Sequence, residues 1–213
     1  MAKASRGSSR PSHQGAADDA ALDPRIRVSR ERVLTTTLDL LTESGLGGLT
    51  IDDVSRRSGV AKTTIYRHWP NRSALVIDAC SRMIEEDVAV PDTGSLEGDL
   101  RAILTNIAGL LETARWSSVL PSIVDVAEHD PEFADLHRRI QRGHAAPVRA
   151  ALDRAARRKE IAPTTDRDAV AGALLGPLFY RRWFSREPID PGFVELIVHG
   201  TIAGLDMVHV RRK

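Results

Sequence analysis

Cysteine is almost missing from these 213 residues: Cys80 stands alone, so no disulfide can close within the chain. A single thiol inside an apolar helical stretch is expected to be buried and inert, and a reducing cytoplasm suits it. Aromatic residues make up only 4% of the chain, too few for a heavily aromatic cage. The longest uncharged apolar run begins at Ala169 and is broken by Arg181 and Arg182, well short of a membrane span. The stretch from Met1 to Asp23 is rich in Ala, Ser and Arg, with no apolar core for a secretory signal or an anchor, and is expected to be disordered. Enzyme signatures are missing too: no G-x-S-x-G elbow, no phosphate loop, no dinucleotide fingerprint and no Cys/His cluster. No catalytic residue, cofactor or metal is therefore expected. His137 and His144 lie seven apart with His129 before them, but surface histidines on a polar face are the plainer reading.

What is present is an uneven charge distribution and a succession of helical patterns. The net charge is only +1, yet residues 1–83 carry 13 Lys/Arg against 9 Asp/Glu, while residues 84–213 carry 17 against 20. A basic first third on a mildly acidic remainder suits a nucleic-acid-binding head on a body with another task. No strand pattern is convincing. Val33, Leu34, Leu38, Leu40 and Leu41 predict a first amphipathic helix ending near Ser44-Gly45, and Leu75, Val76, Ala79 and Met83 predict a fourth after Asn71. Val88 to Gly94, with Pro91, reads as a boundary. Further helices are expected at Leu96–Thr113, Ser118–Ala127, Pro131–Arg158, Asp166–Ser185 and Pro191–Arg211.

Leu49 to Arg72 carries the most specific pattern. Thr50 is placed to accept from the Asp53 backbone N–H while the Asp53 carboxylate reaches back, and Leu49 with Val54 can close a hydrophobic staple. Gly59 follows Ser58 and supplies the left-handed conformation that ends a helix. A short second helix from about Lys62 to His68 has Ile65 as its sole aliphatic side chain. Its remaining positions are donors and hydroxyls suited to phosphate oxygens and to base edges in a major groove. Pro70 stops it, and Asn71 can cap the next helix with Arg72 beside its N-terminus. This is a helix-turn-helix.

The Gly59-Val60 turn, the Thr64-Ile65-Tyr66-x-His68 run and the basic residue after the proline make the segment from about Arg30 to Met83 resemble the DNA-binding domain of the TetR family of transcriptional regulators. The resemblance implies an all-α chain: an N-terminal three-helix helix-turn-helix DNA-binding domain followed by a C-terminal helical ligand-binding and dimerisation domain. The expected limits are a tail at 1–24, the DNA-binding domain at 25–87 and the second domain at 88–213. Lys62, Thr63 and Arg67 lie where the family contacts bases, and Thr50, Thr64, Tyr66, His68 and Arg72 where it holds phosphates. Ala61 replaces a common hydroxyl cap, and Arg72 replaces a commoner lysine.

Two features of the second half bear on its task. Pro121 and Pro147 fall inside helical patterns and free the carbonyls of Ser117 and Gly143. In the family the central helices surround a ligand cavity, for which Leu111, Trp116, Val119, Leu120, Ile123, Val124, Phe179 and Trp183 are candidate walls; core packing explains each equally well. Gly172 and Gly176, and again Gly200 and Gly204, are four apart in helices apolar on nearly every face. Mid-helix glycine costs about 1 kcal/mol relative to alanine, which close approach of a second copy would offset. The expectation is a cytoplasmic, homodimeric regulator that binds a pseudo-palindromic double-stranded operator, with a small-molecule effector and no membrane contact. Two alternatives stay open: a DNA-binding regulator that answers to no small molecule, and an enzyme with an accessory DNA-binding head.

Overall fold

The computed structural model describes residues 24–82, 90–114 and 116–210, with the backbone alone for Trp116 and for 206–210. The expected tail, Met83, the first two residues of the expected boundary segment (88 and 89) and the end of the last predicted helix at Arg211 lie outside the described residues.

The first four helices build the head. Helix α1 spans Pro24–Gly48 and buries Val33, Leu34, Thr37 and Leu41, one stripe at helical spacing. The expected break is present: Gly45 adopts φ 66°, and the turn beyond it carries Leu46 into the core. Helix α2, Ile51–Ser58, and helix α3, Lys62–His68, form the helix-turn-helix, and α4 follows at Arg72–Arg82. Asn71 caps α4 by accepting from the Ala74 backbone N–H at 2.8 Å.

The body comprises α5 (Leu96–Thr113), α6 (Trp116–Ala127), α7 (Pro131–Arg157), α8 (Arg167–Tyr180) and α9 (Pro191–Val210). Ser95, Asp130 and Asp166 cap α5, α7 and α8 with side-chain oxygens, which fixes these starts locally. The helix expected over Asp166–Ser185 stops being α-helical at Tyr180 and finishes in a π-helical turn, Arg181–Ser185. The wider turn lets the consecutive Arg182 and Trp183 both reach α6, while Tyr180 and Phe184 stack on each other with centroids 5.8 Å apart. Pro121 and Pro147 both lie inside their helices. The Ser117 carbonyl that Pro121 frees accepts the Trp183 indole N–H at 3.0 Å, so this orphan is satisfied.

Two cores divide the molecule. Leu104, Leu111, Leu152, Leu174 and Val198 belong to a core built from α5, the second half of α7, α8 and α9. Leu34, Leu41, Val54, Ile65 and Leu75 of the head share a second core with Val119, Leu120 and Ile123 of α6 and with Phe133, Leu136 and Ile140 of α7. The four short head helices cannot cover their own apolar faces, and α6 with the first half of α7 completes the burial. The division between the two cores thus runs through α7.

Fully buried Asp99 ties the segment entering the body to α7: it accepts from the Thr93 backbone N–H at 2.7 Å and pairs with Arg154 at 3.0 Å. Burial pushes its carboxyl up, but the hydrogen bonds from Thr93 and Arg154 together hold it below its ordinary value. Burial lifts the Cys80 thiol to about 12, which leaves it protonated and unreactive. No helix among the described residues is long and apolar enough to cross a membrane.

Candidate nucleic-acid interface

Helix α3 has seven residues and buries one, Ile65. So short a helix is marginal alone, and its orientation depends on what grips its ends. In the helix that precedes it, the Thr50 hydroxyl accepts from Asp53 N at 3.1 Å and donates to Asp53 Oδ2 at 2.6 Å, fixing the beginning of α2. The reciprocal contact from the Asp53 carboxylate thus runs through the Thr50 hydroxyl proton. Gly59 takes φ 70°. A Cβ there would lie 3.0 Å from Arg32 Nη2, whose guanidinium donates to the Ser58 carbonyl. Ser55 Oγ donates to the Val60 carbonyl at 2.8 Å, and Val60 is buried, so the turn between the two helices is held on both sides.

The far end of α3 is gripped by residues the sequence did not single out. Trp69 is buried, and its indole N–H donates to Asp78 Oδ2 at 2.8 Å. Arg30 pairs with the same oxygen at 2.7 Å and sits 5.9 Å from the Trp69 ring centroid. One carboxylate on α4 therefore joins α1, α4 and the end of α3. Nothing in a linear pattern marks Asp78, because the groups that meet it are 9 and 48 residues away.

The outward face presents what sequence placed there. Lys62, Thr63, Tyr66 and Arg67 are exposed, and Thr64 and His68 are half-buried, with the His68 ring tilted against Trp69. The Arg67 guanidinium has no ion-pair or hydrogen-bond partner among the described residues. Lys62 pairs with Asp52 at 2.7 Å, an exposed contact worth at most about 1 kcal/mol and easily exchanged for a phosphate or base. Ala61 makes no side-chain cap, as its chemistry requires. Arg72 departs from the expected phosphate-facing position: it is half-buried and donates to the Leu46 carbonyl, bracketing α4 onto the end of α1.

The candidate wall residues of the second half are not gathered around one cavity. Leu111 is buried in the body core, and Val119, Leu120 and Ile123 are buried in the core shared with the head. Val124 is 37% exposed, because it lies on the outer face of α6. The Trp116 side chain lies outside the described residues. Phe179 and Trp183 meet as tilted rings 5.1 Å apart, and among the candidates whose side chains are described only Trp183 lines a cavity of about 490 Å³ at the end of α8. That cavity also has Arg181, Arg182 and Arg186 on its walls, so it is polar where sequence suggested Leu, Ile and Val. A second cavity of about 310 Å³ involves Leu96, Ile161, Ile202 and Leu205. Among the described residues no three His, Cys, Asp or Glu are placed to hold a metal. His137 meets Gln141, and His144 is drawn down to about 4 by burial and then by His137, so it stays neutral against Phe179.

Comparison with known proteins agrees with this geometry. Residues 33–79 match the family described as bacterial regulatory proteins, tetR family, and residues 90–201 match the tetracyclin repressor-like C-terminal domain. The chain is a member of the TetR family. It is 27% identical to the HTH-type transcriptional regulator YdeS of Bacillus subtilis over 85% of this chain and 92% of that one. A DNA-binding transcriptional repressor TetR of Mycobacteroides abscessus is 28% identical over 78% and 87%. The crystal structure of the TetR family transcription regulator SCO0332 superposes with a TM-score of 0.65 at 30% identity, covering 83% of this chain and 97% of the other. This TetR-family chain is thus a DNA-binding transcriptional regulator.

Proposed function

We propose that the chain is a homodimeric repressor that leaves its operator when a small molecule binds the body. The observation carrying the proposal is the outward face of α3, where Lys62, Thr63, Tyr66 and Arg67 are exposed; in this reading Lys62, Thr63 and Arg67 meet base edges, and Thr50, Thr64, Tyr66 and His68 take phosphates on either side. The relative from Mycobacteroides abscessus is named a repressor, which supports that direction of control.

The dimer is supported by four glycines. A Cβ built at Gly172, Gly176, Gly200 or Gly204 meets nothing within 4 Å, and all four are exposed. Packing inside the chain therefore gives no reason for glycine there. Leu196 and Tyr180 on the same pair of helices are 67% and 59% exposed, an apolar surface that a second copy would cover.

The test is selection from a random duplex pool by the full-length protein, followed by alanine substitution. A two-fold symmetric site, with preference at individual positions relaxed by Arg67→Ala or Lys62→Ala, is expected. Binding that ignores sequence, or preferences unchanged by both substitutions, would refute the assignment of α3.

A further inference from the structure

We infer that the cavity at the end of α8 binds an aromatic monocarboxylate between Arg182 and Arg186, and that Arg182 also latches the helix that completes the head's core. The inference rests on the reading of a ligand-released regulator and names the ligand class of that reading.

The charge on the cavity walls decides the class. Among the described residues, three arginines, Arg181, Arg182 and Arg186, face two carboxylates, Glu112 and Glu187, leaving one positive charge over. Arg181 is already engaged: it lies 3.5 Å from Glu187 and 3.9 Å from Asp190, with its guanidinium 3.4 Å above the Phe193 ring. Arg182 is held only by neutral acceptors, the Leu111 carbonyl at 2.8 Å and Ser117 Oγ at 3.4 Å. Arg186 has no partner among the described residues, and it sits at φ 56°, a conformation that arginine rarely adopts. Two guanidiniums therefore stand without an ion pair among the described residues, beside the single carboxylate of Glu112, at one cavity. A guanidinium fork matches a carboxylate in geometry as well as charge. A polyanion would meet Glu112 and Glu187 with its excess charge, so a single carboxylate fits best. The indole of Trp183 and the side chain of Ile189 supply the apolar wall for a flat ring, and about 490 Å³ is ordinary room for a small ligand.

The same residues reach the head. Trp183 donates to the Ser117 carbonyl and Arg182 to its hydroxyl, so both hold the first turn of α6. Within the next two turns, Val119, Leu120 and Ile123 of α6 are buried with Leu34, Leu41 and Val54 of the head. A carboxylate offers Arg182 a charge-assisted bond in place of neutral ones, and so competes with the latch. Ligand and operator are then coupled only as far as they prefer different positions of α6.

Calorimetric titration of the full-length protein with benzoate, 1-naphthoate and indole-3-acetate, each beside its neutral amide, tests this. At least one acid should bind about tenfold or more tightly than its amide, and Arg186→Gln should erase most of that preference. Arg186→Gly removes the same guanidinium while easing the left-handed backbone, so it should lose the preference yet melt no lower than the parent chain. The site is overturned when no acid outbinds its amide, or when both variants keep the preference. Operator affinity measured with a saturating acid then separates the two claims. A fall of about 5–150-fold supports the latch. An unchanged affinity with demonstrated binding overturns the latch and the ligand-release reading, while the carboxylate site stands.

Discussion

Helices α3 and α8 each leave one face uncovered, and the two faces are chemical opposites. The face of α3 carries Lys62, Thr63, Tyr66 and Arg67 around a single buried anchor, Ile65. The face of α8 carries Gly172, Ala173, Gly176 and Tyr180 over an anchor row of Ala171, Leu174, Leu175 and Leu178. A polar face with spare donors is satisfied by water until a polyanion replaces it, so α3 can stay exposed in a stable monomer. An apolar face of small residues gains nothing from water and is stabilised only by another apolar surface. The contrast assigns different partners to the two ends of one chain, nucleic acid at the first and a second copy at the other.

The largest effect should come from filling the small-residue face. Gly176→Arg has open space around its Cβ within the chain, so the monomer should fold, while a symmetric contact would suffer the change twice. Sedimentation should show a folded monomer, and operator affinity should drop by about 10²–10⁴-fold through loss of the second half-site. An intact dimer would show that the α8 glycines do not face the partner.

Next comes the grip on the recognition helix. Asp78→Ala removes the acceptor shared by Trp69 and Arg30 and leaves a buried indole N–H unpaired, a loss of about 1–3 kcal/mol in stability. Because α3 then loses its orientation as a whole, binding should weaken for every sequence alike. A shift in sequence preference without loss of stability would place Asp78 in direct contact with DNA instead.

Arg67→Ala should reverse that pattern. Its guanidinium is exposed and unengaged, so the melting temperature should hold while about 1–3 kcal/mol of operator binding and the preference at one base position are lost. The smallest effect is reserved for Asp52→Asn. It releases Lys62 from an exposed ion pair and removes a negative charge beside the phosphates, so affinity should rise by less than about 1 kcal/mol, and less again at high salt.

The difference between α3 and α8 also explains what a linear reading could and could not reach. The cap at Thr50, the turn at Gly59, the stop before Pro70 and the cap at Asn71 are local chemistry, written within four residues of where they act, and each was legible. The outward residues of α3 followed once those ends were placed. Contacts that span the chain left no such trace. Asp78 joining Arg30 to Trp69, and Trp183 taking the carbonyl freed by Pro121 66 residues earlier, arise only when helices cross. The candidate ligand walls failed for the same reason. Leu111, Val119, Leu120 and Ile123 have the apolarity of a pocket, but apolarity cannot distinguish a lining from a filled core, and the packing filled it. Arg181 and Arg182, which a terminal helix dipole could have explained, instead help to wall the open cavity. Arg72 was placed correctly on α4, yet its direction depended on the Leu46 carbonyl brought near by the break at Gly45.

The central claim is that α3 reads DNA only as one of a pair set by the small-residue face. The most direct measurement is the mass of the protein–DNA complex on a selected operator, by sedimentation, with the intact site and with one half-site scrambled. Two chains on two half-sites about 34 Å apart, with affinity collapsing when either half is scrambled, is the predicted result. A single chain bound to the intact site, with affinity unchanged after one half is scrambled, would contradict it.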